Sequence, residues 1–260
     1  MAKLAYKRTG TESDLPLLLL HALPLDSSMW NSVRDQLGDI DILTVDAPGF
    51  GDSPSGEEFG DGSPSIPAFS EAIKELLDDL GIRKVAIGGL SMGGSVAADF
   101  VGTFPAYVAG LALMDTNITA DDADRKAFRE DAAQKAEAGH GYDTVKDWTT
   151  TMLAKETSSE IREDLDKRFR ALPDKSLAWI QRAMGARLDR LDAPSLVDGP
   201  VYLIRGSEDV TCSLESLMNI ALRAQHPRII EIDEAGHFTA DEKPTELAEI
   251  LKEFYEATTN

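Results

Sequence analysis

The first 115 residues alternate between short apolar runs and longer segments whose apolar residues recur at three- and four-residue spacing. Short apolar runs are typical of buried strands, whereas the longer spacing gives a helix one apolar face. Strands that alternate with helices form a parallel sheet with helices on both faces. The predicted strands here are 17–20, 40–45, 85–87 and 111–114, and the predicted helices are 27–37, 66–80 and 93–104.

Strand-like runs are missing between residues 118 and 192, where charges are dense and apolar residues keep helical spacing. This pattern predicts about four amphipathic helices. We therefore expect an α/β core formed by residues 1–117 and 193–260, with residues 118–192 inserted as a helical cap. Beyond the insertion the predicted strands are 201–204 and 229–232, and the predicted helices are 213–224 and 245–258.

Composition limits the partners of the chain. The formal net charge of −20 over 260 residues disfavours binding to nucleic acid and to anionic membranes. Cys212 is the single cysteine, so no intramolecular disulfide can form, which fits a reducing compartment. The N-terminal residues lack the apolar core of a signal peptide, and we expect a cytoplasmic protein. The sequence leaves the oligomeric state open.

One serine is surrounded by glycines at a predicted strand-to-helix junction. Residues 89–94 read G-L-S-M-G-G, which contains the pattern G-x-S-x-G around Ser91. Small neighbours allow a sharp turn that exposes the hydroxyl close to a helix N-terminus, where backbone N–H groups favour a developing oxyanion. The pattern alone leaves two alternatives open, a nucleophile and an ordinary glycine-rich turn.

A serine nucleophile needs a base, and the chain has four histidines. His237 follows the predicted strand 229–232, at the sheet edge where the sites of α/β proteins gather. His226 precedes that strand and belongs to the opposite edge, and His140 falls among the helices of the insertion. His237 is therefore the predicted base.

The base in turn needs an acid that fixes its tautomer. Asp209 comes shortly after the predicted strand 201–204, again at the carboxyl edge. Asp115, after an earlier strand, is the alternative acid, and Glu208 is adjacent to Asp209. The chain order Ser91, Asp209, His237 is the serine–acid–histidine order of one known class of hydrolase, which favours Asp209.

Stabilisation of an oxyanion requires two backbone donors. The N–H of Met92, the residue after the serine, is one candidate. The other belongs to the loop after the first buried strand, His21-Ala22-Leu23-Pro24, where the N–H of Leu23 is preferred because Pro24 has none. Together with Ser91, these residues predict a complete site for acyl transfer.

With these residues in this order, the chain resembles the α/β hydrolases over nearly its whole length. The details are most similar to small esterases, enol-lactonases of the 3-oxoadipate type, and cofactor-free haloperoxidase or perhydrolase relatives. The resemblance implies the α/β-hydrolase fold, with a mostly parallel sheet of seven or eight strands and a helical cap. It rests on the segments H-A-L-P-L-D-S-S-M-W, D-A-P-G-F-G-D-S, G-L-S-M-G-G, G-S-E-D-V and A-G-H-F.

Two departures from the family pattern concern the N-terminal part. Only one strand, within residues 3–9, is predicted before Leu17, which favours seven strands over eight. The family usually has His-Gly where this chain has His21-Ala22, and the added methyl group is expected to narrow the oxyanion loop or to change its backbone dihedrals.

The expected activity is that of a serine hydrolase which cleaves a small or medium carboxylic ester, with apolar groups favoured and polyanions disfavoured. Enol-lactone opening, carbon–carbon hydrolysis and perhydrolysis use the same triad and stay open as alternatives, as does a non-catalytic ligand-binding role. Phe50, Trp148 and Trp179 are the predicted pocket residues. Residues with metal-ligand spacing are lacking, so neither a metal nor another cofactor is expected.

Overall fold

One seven-stranded sheet forms the centre of the computed structural model, which describes residues 2–259. The spatial order is β1-β3-β2-β4-β5-β6-β7, with β1 antiparallel to β3 and every other pair parallel. The seven strands agree with the prediction from the short N-terminal segment. Their bounds are β1 Tyr6–Thr9, β2 Leu17–Leu20, β3 Ile42–Val45, β4 Val85–Leu90, β5 Val108–Met114, β6 Val201–Gly206 and β7 Pro227–Ile232.

Helices cover both faces of this sheet, which is why the central strands are buried at nearly every position instead of alternating between buried and exposed. All residues of β2, β3 and β4 are buried, whereas the edge strand β7 is mostly exposed. The α-helices are α1 Asn31–Arg34, α2 Ile66–Asp79, α3 Met92–Thr103, α4 Ala123–Glu137, α5 Trp148–Thr151, α6 Ser159–Ala171, α7 Asp174–Gly185, α8 Leu214–Ala221, α9 Thr239–Glu242 and α10 Pro244–Thr259.

Local signals set the ends of the long helix α2, which lie within one residue of the predicted bounds 66–80. The Ser65 hydroxyl accepts the N–H of Ala68 at 3.2 Å, which satisfies one of the free donors of the first turn. Gly81, just past the end, has a φ of +71°, a conformation that glycine adopts without steric cost. Within residues 2–259, every helix is either too short or too polar to span a membrane.

The predicted helix over 27–37 is wrong in its length. The Asp26 carboxylate accepts the N–H of Ser28 at 2.9 Å and closes a tight 3₁₀ turn instead. Only the single turn α1 follows, and this short segment already buries Trp30 and Val33 against the core. The 3₁₀ turns are Ser27–Trp30, Gly56–Glu58, Pro105–Tyr107, Tyr142–Thr144 and Ala193–Leu196.

The segment between β5 and β6 is helical and contains α4, α5, α6 and α7. Helices α4 and α7 pack against each other, and alanines on the buried side of α4 allow this close packing. Because the segment leaves the sheet at the carboxyl end of β5, it begins beside the edge where the other parallel strands also end. This placement brings the inserted helices next to the carboxyl ends of the parallel strands.

Candidate active site

Four polar side chains follow the carboxyl ends of four neighbouring parallel strands. Ser91 follows β4, Asp115 follows β5, Asp209 lies three residues beyond β6, and His237 lies five residues beyond β7. Because these strands are parallel and adjacent, their carboxyl ends meet at one edge of the sheet. Residues far apart in the chain are thereby brought into one site.

Ser91 occupies a strained turn between β4 and α3. Its φ of +54° lies in the left-handed region, which side chains other than glycine rarely adopt. Neighbouring groups hold this backbone in place: the Ser91 N–H donates to the Met114 carbonyl at 2.8 Å, and the Thr116 hydroxyl donates to the Ser91 carbonyl at 2.6 Å. The turn leaves the hydroxyl partly exposed at the sheet edge.

Close packing explains the glycines on either side of Ser91. A Cβ at Gly89 would lie 2.1 Å from the Gly93 carbonyl oxygen, and a Cβ at Gly93 would lie 2.2 Å from the Leu20 carbonyl oxygen. Such contacts are far shorter than atoms tolerate, and the atoms met are backbone, which cannot swing away. The glycines of the G-x-S-x-G pattern are therefore needed because α3 packs closely against β4 and β2.

His237 lies between Ser91 and Asp209. Its Nε2 is 2.8 Å from Ser91 Oγ, and its Nδ1 is 3.0 Å from Asp209 Oδ2. An ionised Asp209 can only accept, so Nδ1 carries the proton, and Nε2 is left free to accept the proton of Ser91. This is the tautomer that a general base for the serine requires.

The carboxylate of Asp209 is fully buried and has strong partners. Burial acts to raise its pKa, but hydrogen bonds and charge from His237, together with bonds from Thr211, outweigh burial and place the pKa below the usual value. The N–H and hydroxyl of Thr211 reach Asp209 Oδ1 at 2.7 and 2.8 Å. Thr211 Oγ1 also lies 2.8 Å from His237 Nδ1. Sequence reasoning missed Thr211, because a threonine after an acid has no signature of its own.

Asp115, the alternative acid, is buried in the same region but contacts other groups. Its Oδ1 accepts the N–H of Gly206 at 2.7 Å, and its Oδ2 accepts the hydroxyl of Thr239 at 2.6 Å. Burial, followed by the negative charge of Asp209, raises the pKa of Asp115 well above its usual value. Of the two predicted acids, Asp209 is thus the ionised carboxylate that contacts the histidine.

Two backbone donors lie free beside this site. Among residues 2–259, neither the N–H of Leu23 nor the N–H of Met92 has a hydrogen-bond acceptor. Met92 is the first residue of α3, where N–H groups have no intrahelical partner and the helix dipole is positive. Leu23 and Met92 are the two residues that the sequence predicted as oxyanion donors.

His21 fixes the loop that carries Leu23. Its Nε2 accepts the N–H of Ala47 at 2.9 Å, so its Nδ1 carries the proton and donates to the Ala22 carbonyl at 3.0 Å. Burial lowers the pKa of His21, in keeping with a neutral ring. Ala22 is buried and lacks a positive φ, so its methyl group fits this loop without backbone strain.

The three aromatic residues predicted to line the pocket lie elsewhere. Phe50 is buried against the ring of His21, with 5.5 Å between the ring centroids. Trp148 packs edge-on against Phe169 at 6.4 Å. Trp179 donates its ring N–H to the Gly62 carbonyl at 3.3 Å, which joins α7 to the loop before α2. Phe50 thus packs within the core, Trp148 packs within the inserted segment, and Trp179 joins the two.

A cavity of about 540 Å³ opens beside the serine. Ser91 and His237 belong to its lining, and further lining residues come from the inserted segment, among them Met152, Met184 and Arg125. This volume is within the range that accommodates small ligands. Most of the lining side chains are polar, in contrast to the preference for apolar groups expected from the sequence.

The loop that carries His237 is bonded to the inserted segment. The N–H of His237 donates to the Met152 carbonyl at 2.7 Å. A Cβ at Gly236 would lie 2.4 Å from that same carbonyl oxygen, which explains the glycine of the A-G-H-F segment. The backbone before α6 thus passes directly over the histidine loop.

Glu242 connects the same two parts of the chain. Its carboxylate accepts the N–H groups of Gly236 and Phe238, each at 3.1 Å, on either side of His237. It also accepts the N–H of Ala154 at 2.8 Å and the hydroxyl of Thr157 at 2.6 Å from the insertion. One side chain therefore holds the histidine loop and the inserted segment together.

Replacing Glu242 with alanine should lower the free energy of unfolding by about 3 kcal/mol, because four donors lose a charged acceptor in a partly buried place. Urea denaturation of the two proteins measures this difference. Glu246→Ala, an exposed glutamate on α10, is the matched control and should shift the free energy by under about 0.5 kcal/mol. Equal effects of the two substitutions would contradict the assigned role of Glu242.

Proteins of known family or structure match this chain over most of its length and share its fold. A model of the alpha/beta hydrolase family matches residues 17–250. The solved structure of a thermophilic esterase from Thermogutta terrifontis, with malate bound, is 27% identical, has a TM-score of 0.92, and the match covers 99% of this chain and 94% of that one.

Two other matches are more limited. The enol-lactonase from Burkholderia xenovorans is 21% identical with a TM-score of 0.83, over 97% of this chain and 96% of that one, which shows a shared fold alone. The acetyltransferase component of an acetoin cleaving system from Pseudomonas putida is 34% identical over 106 residues. That match covers 40% of this chain and 28% of the relative, so the chain spans well under two thirds of that protein.

Proposed function

The chain belongs to the alpha/beta hydrolase family, and on this premise we propose that it is a serine hydrolase that cleaves small to medium carboxylic esters through an acyl-enzyme on Ser91. The observation that carries the proposal is the continuous chain of contacts from Ser91 Oγ to His237 at 2.8 Å and from His237 to Asp209 at 3.0 Å. A plain glycine-rich turn would need neither partner.

The first half of the proposed reaction forms the acyl-enzyme. His237 Nε2 takes the proton of Ser91 as Oγ bonds to the ester carbonyl carbon, and Asp209 stabilises the imidazolium that results. The carbonyl oxygen becomes an oxyanion and accepts the free N–H groups of Leu23 and Met92. When this intermediate collapses, the bond to the alcohol oxygen breaks, and His237 gives its proton to the departing alcohol.

The second half releases the acid. His237 removes a proton from a water molecule, which attacks the acyl carbon and forms a second oxyanion at the same donors. Collapse of this intermediate breaks the bond to Ser91 Oγ, which regains its proton from His237. The serine, the histidine and the ionised Asp209 all return to their starting states, and the only reactants consumed are the ester and water.

The inserted helices act in this proposal as a cap that limits the size of the substrate. Met152 and Met184 come from the insertion and line the cavity of about 540 Å³ next to Ser91. The substrate is a small molecule; neither nucleic acid nor a membrane is a partner in this proposal. A cytoplasmic location fits the single buried cysteine, Cys212.

A fluorophosphonate probe tests the proposal directly, because it forms a stable bond only to an activated serine. We expect one adduct per chain, located on Ser91 by peptide mass spectrometry, and loss of 4-nitrophenyl butyrate hydrolysis in proportion to labelling. The urea-unfolded protein is the control and should remain unlabelled. An adduct on another serine, or no adduct on the folded protein, would be evidence against the proposed nucleophile.

A further inference from the structure

The cavity beside Ser91 carries a group of positive charges. Arg125, Arg129 and Arg187, all from the inserted segment, belong to its lining. The whole chain has a net charge of −20, so three guanidinium groups in one cavity run against its overall charge. The catalytic steps described above use none of these arginines, and their presence calls for another explanation.

Two of the three arginines share one carboxylate. Asp121, whose side chain is 4% exposed, contacts Arg129 Nε through Oδ2 and Arg187 Nη2 through Oδ1, the latter at 2.9 Å. The pKa of Arg129 is lowered to about 10, first by burial and then by the charges of Arg187 and Arg125, while Asp121 acts in the opposite direction. Arg129 therefore stays cationic at neutral pH, and one aspartate balances only one of the two buried charges.

Donors for a further anion remain available. Arg129 donates through Nη1 to Gln181 at 2.9 Å, which leaves its Nη2 without an acceptor among residues 2–259. In the same part of the chain the Arg125 guanidinium meets no acceptor at all and lies 5.1 Å from the ring of Phe128. The cavity's other charged carboxylate, Asp122, instead accepts the backbone N–H of Arg125 at 2.8 Å as the N-cap of α4.

We infer, building on the proposed function, that the substrate is an ester or lactone that carries a free carboxylate, which Arg125 and Arg129 bind while Ser91 attacks the ester carbonyl. A guanidinium group presents parallel N–H donors that match a carboxylate, and it loses less hydration than an ammonium group when it does so. The substrate carboxylate also balances the one positive charge that remains when Asp121 and Asp122 are set against the three arginines.

The negative charge of the chain as a whole does not cancel this attraction. Exposed charges are screened within about 8 Å at physiological ionic strength, whereas charges in a cavity with low-dielectric walls are screened much less. The acidic surface of the protein weakens long-range capture of an anion. The buried Arg129 is screened least, and Arg125, which is exposed but belongs to the cavity lining, adds a second guanidinium group, so these two arginines decide which molecule stays bound beside Ser91.

Monomethyl glutarate and dimethyl glutarate test the inference, because they differ only in whether the far carboxylate is free. Acid release measured by titration at constant pH should give a kcat/KM about tenfold higher for the monoester, and Arg125→Gln should remove most of that preference. Lys126→Gln, which removes an exposed charge from the same helix outside the cavity, should leave the preference unchanged.

Protection against the fluorophosphonate gives a second measurement that needs no turnover. Glutarate should slow the labelling of Ser91, 1,5-pentanediol should not, and Arg125→Gln should abolish the protection. Labelling that glutarate does not slow, or a preference that survives Arg125→Gln, would overturn the inference and leave the hydrolase proposal standing. Without an adduct and without cleavage of either ester by the wild-type protein, the proposed function fails, and this inference fails with it.

Discussion

Ser91→Ala should lower kcat for ester hydrolysis by about 10⁴-fold or more, because the substitution removes the atom that bonds to the acyl carbon. The effect on stability should be small, since the backbone contacts of residue 91 with Met114 and Thr116 do not involve its side chain. Steady-state kinetics with 4-nitrophenyl butyrate measures the first effect, and urea denaturation measures the second.

Ser95→Ala is the matched control for this experiment. Ser95 belongs to the lining of the same cavity, but its hydroxyl donates to the Asn117 carbonyl at 3.1 Å and does not contact the histidine. This variant should keep both turnover and fluorophosphonate labelling. A Ser91→Ala protein that still hydrolyses esters at the wild-type rate would exclude Ser91 as nucleophile. An inactive Ser95→Ala protein would show that loss of activity on removing a serine does not by itself identify the nucleophile.

The same substitution at the two neighbouring acids should have very different effects. Asp209→Asn should lower kcat by about 10⁴-fold, because an amide that presents its NH₂ to Nδ1 holds His237 in the wrong tautomer. Asp115→Asn should cost less than about tenfold, since its carboxyl has a raised pKa and an amide is close in shape to the protonated acid. Steady-state kinetics of the two variants compares them directly.

The Asp115→Asn variant should also differ from the wild type in how its free energy of unfolding depends on pH. Because the pKa of Asp115 is raised on folding, the native state keeps a proton that the unfolded chain releases, so its contribution to stability falls as pH rises above the usual carboxyl pKa. Asp115→Asn removes this loss and should gain stability over the wild type on going from pH 5 to pH 8.

For the kinetic comparison of Asp209→Asn and Asp115→Asn, equal losses of kcat in the two variants would mean that both acids serve His237.

The sequence predicts the main site residues because each of them depends on a local position in the chain. Ser91, Asp209 and His237 each follow an apolar strand, and parallel strands that are adjacent must bring such residues to one edge. The chain order favours Asp209 over Asp115, but a position after a strand does not separate the two acids, since both have one. That choice depends on which carboxylate reaches His237 Nδ1, a distance of 3.0 Å that only tertiary structure defines.

Other features of the site have no signature along the chain. Thr211 reaches His237 across 26 residues of sequence and Glu242 reaches Ala154 across 88, and neither residue type is unusual where it stands. Trp148 and Trp179 look like pocket residues because aromatic side chains often line pockets, but their large surfaces are used to pack the inserted helices. The arginines of the cavity are equally hidden, since net charge averages over the whole chain.

The bonds between the histidine loop and the inserted segment have a consequence for protein engineering. Met152 holds the backbone of His237, and Glu242 holds both neighbours of that residue together with Ala154. An inserted segment taken from a related protein would therefore have to reproduce these contacts with the loop of His237. Transplants that exchange all of the inserted helices should lose turnover as well as specificity, whereas those that keep residues 152–157 and replace only α4 and α7 should change specificity alone.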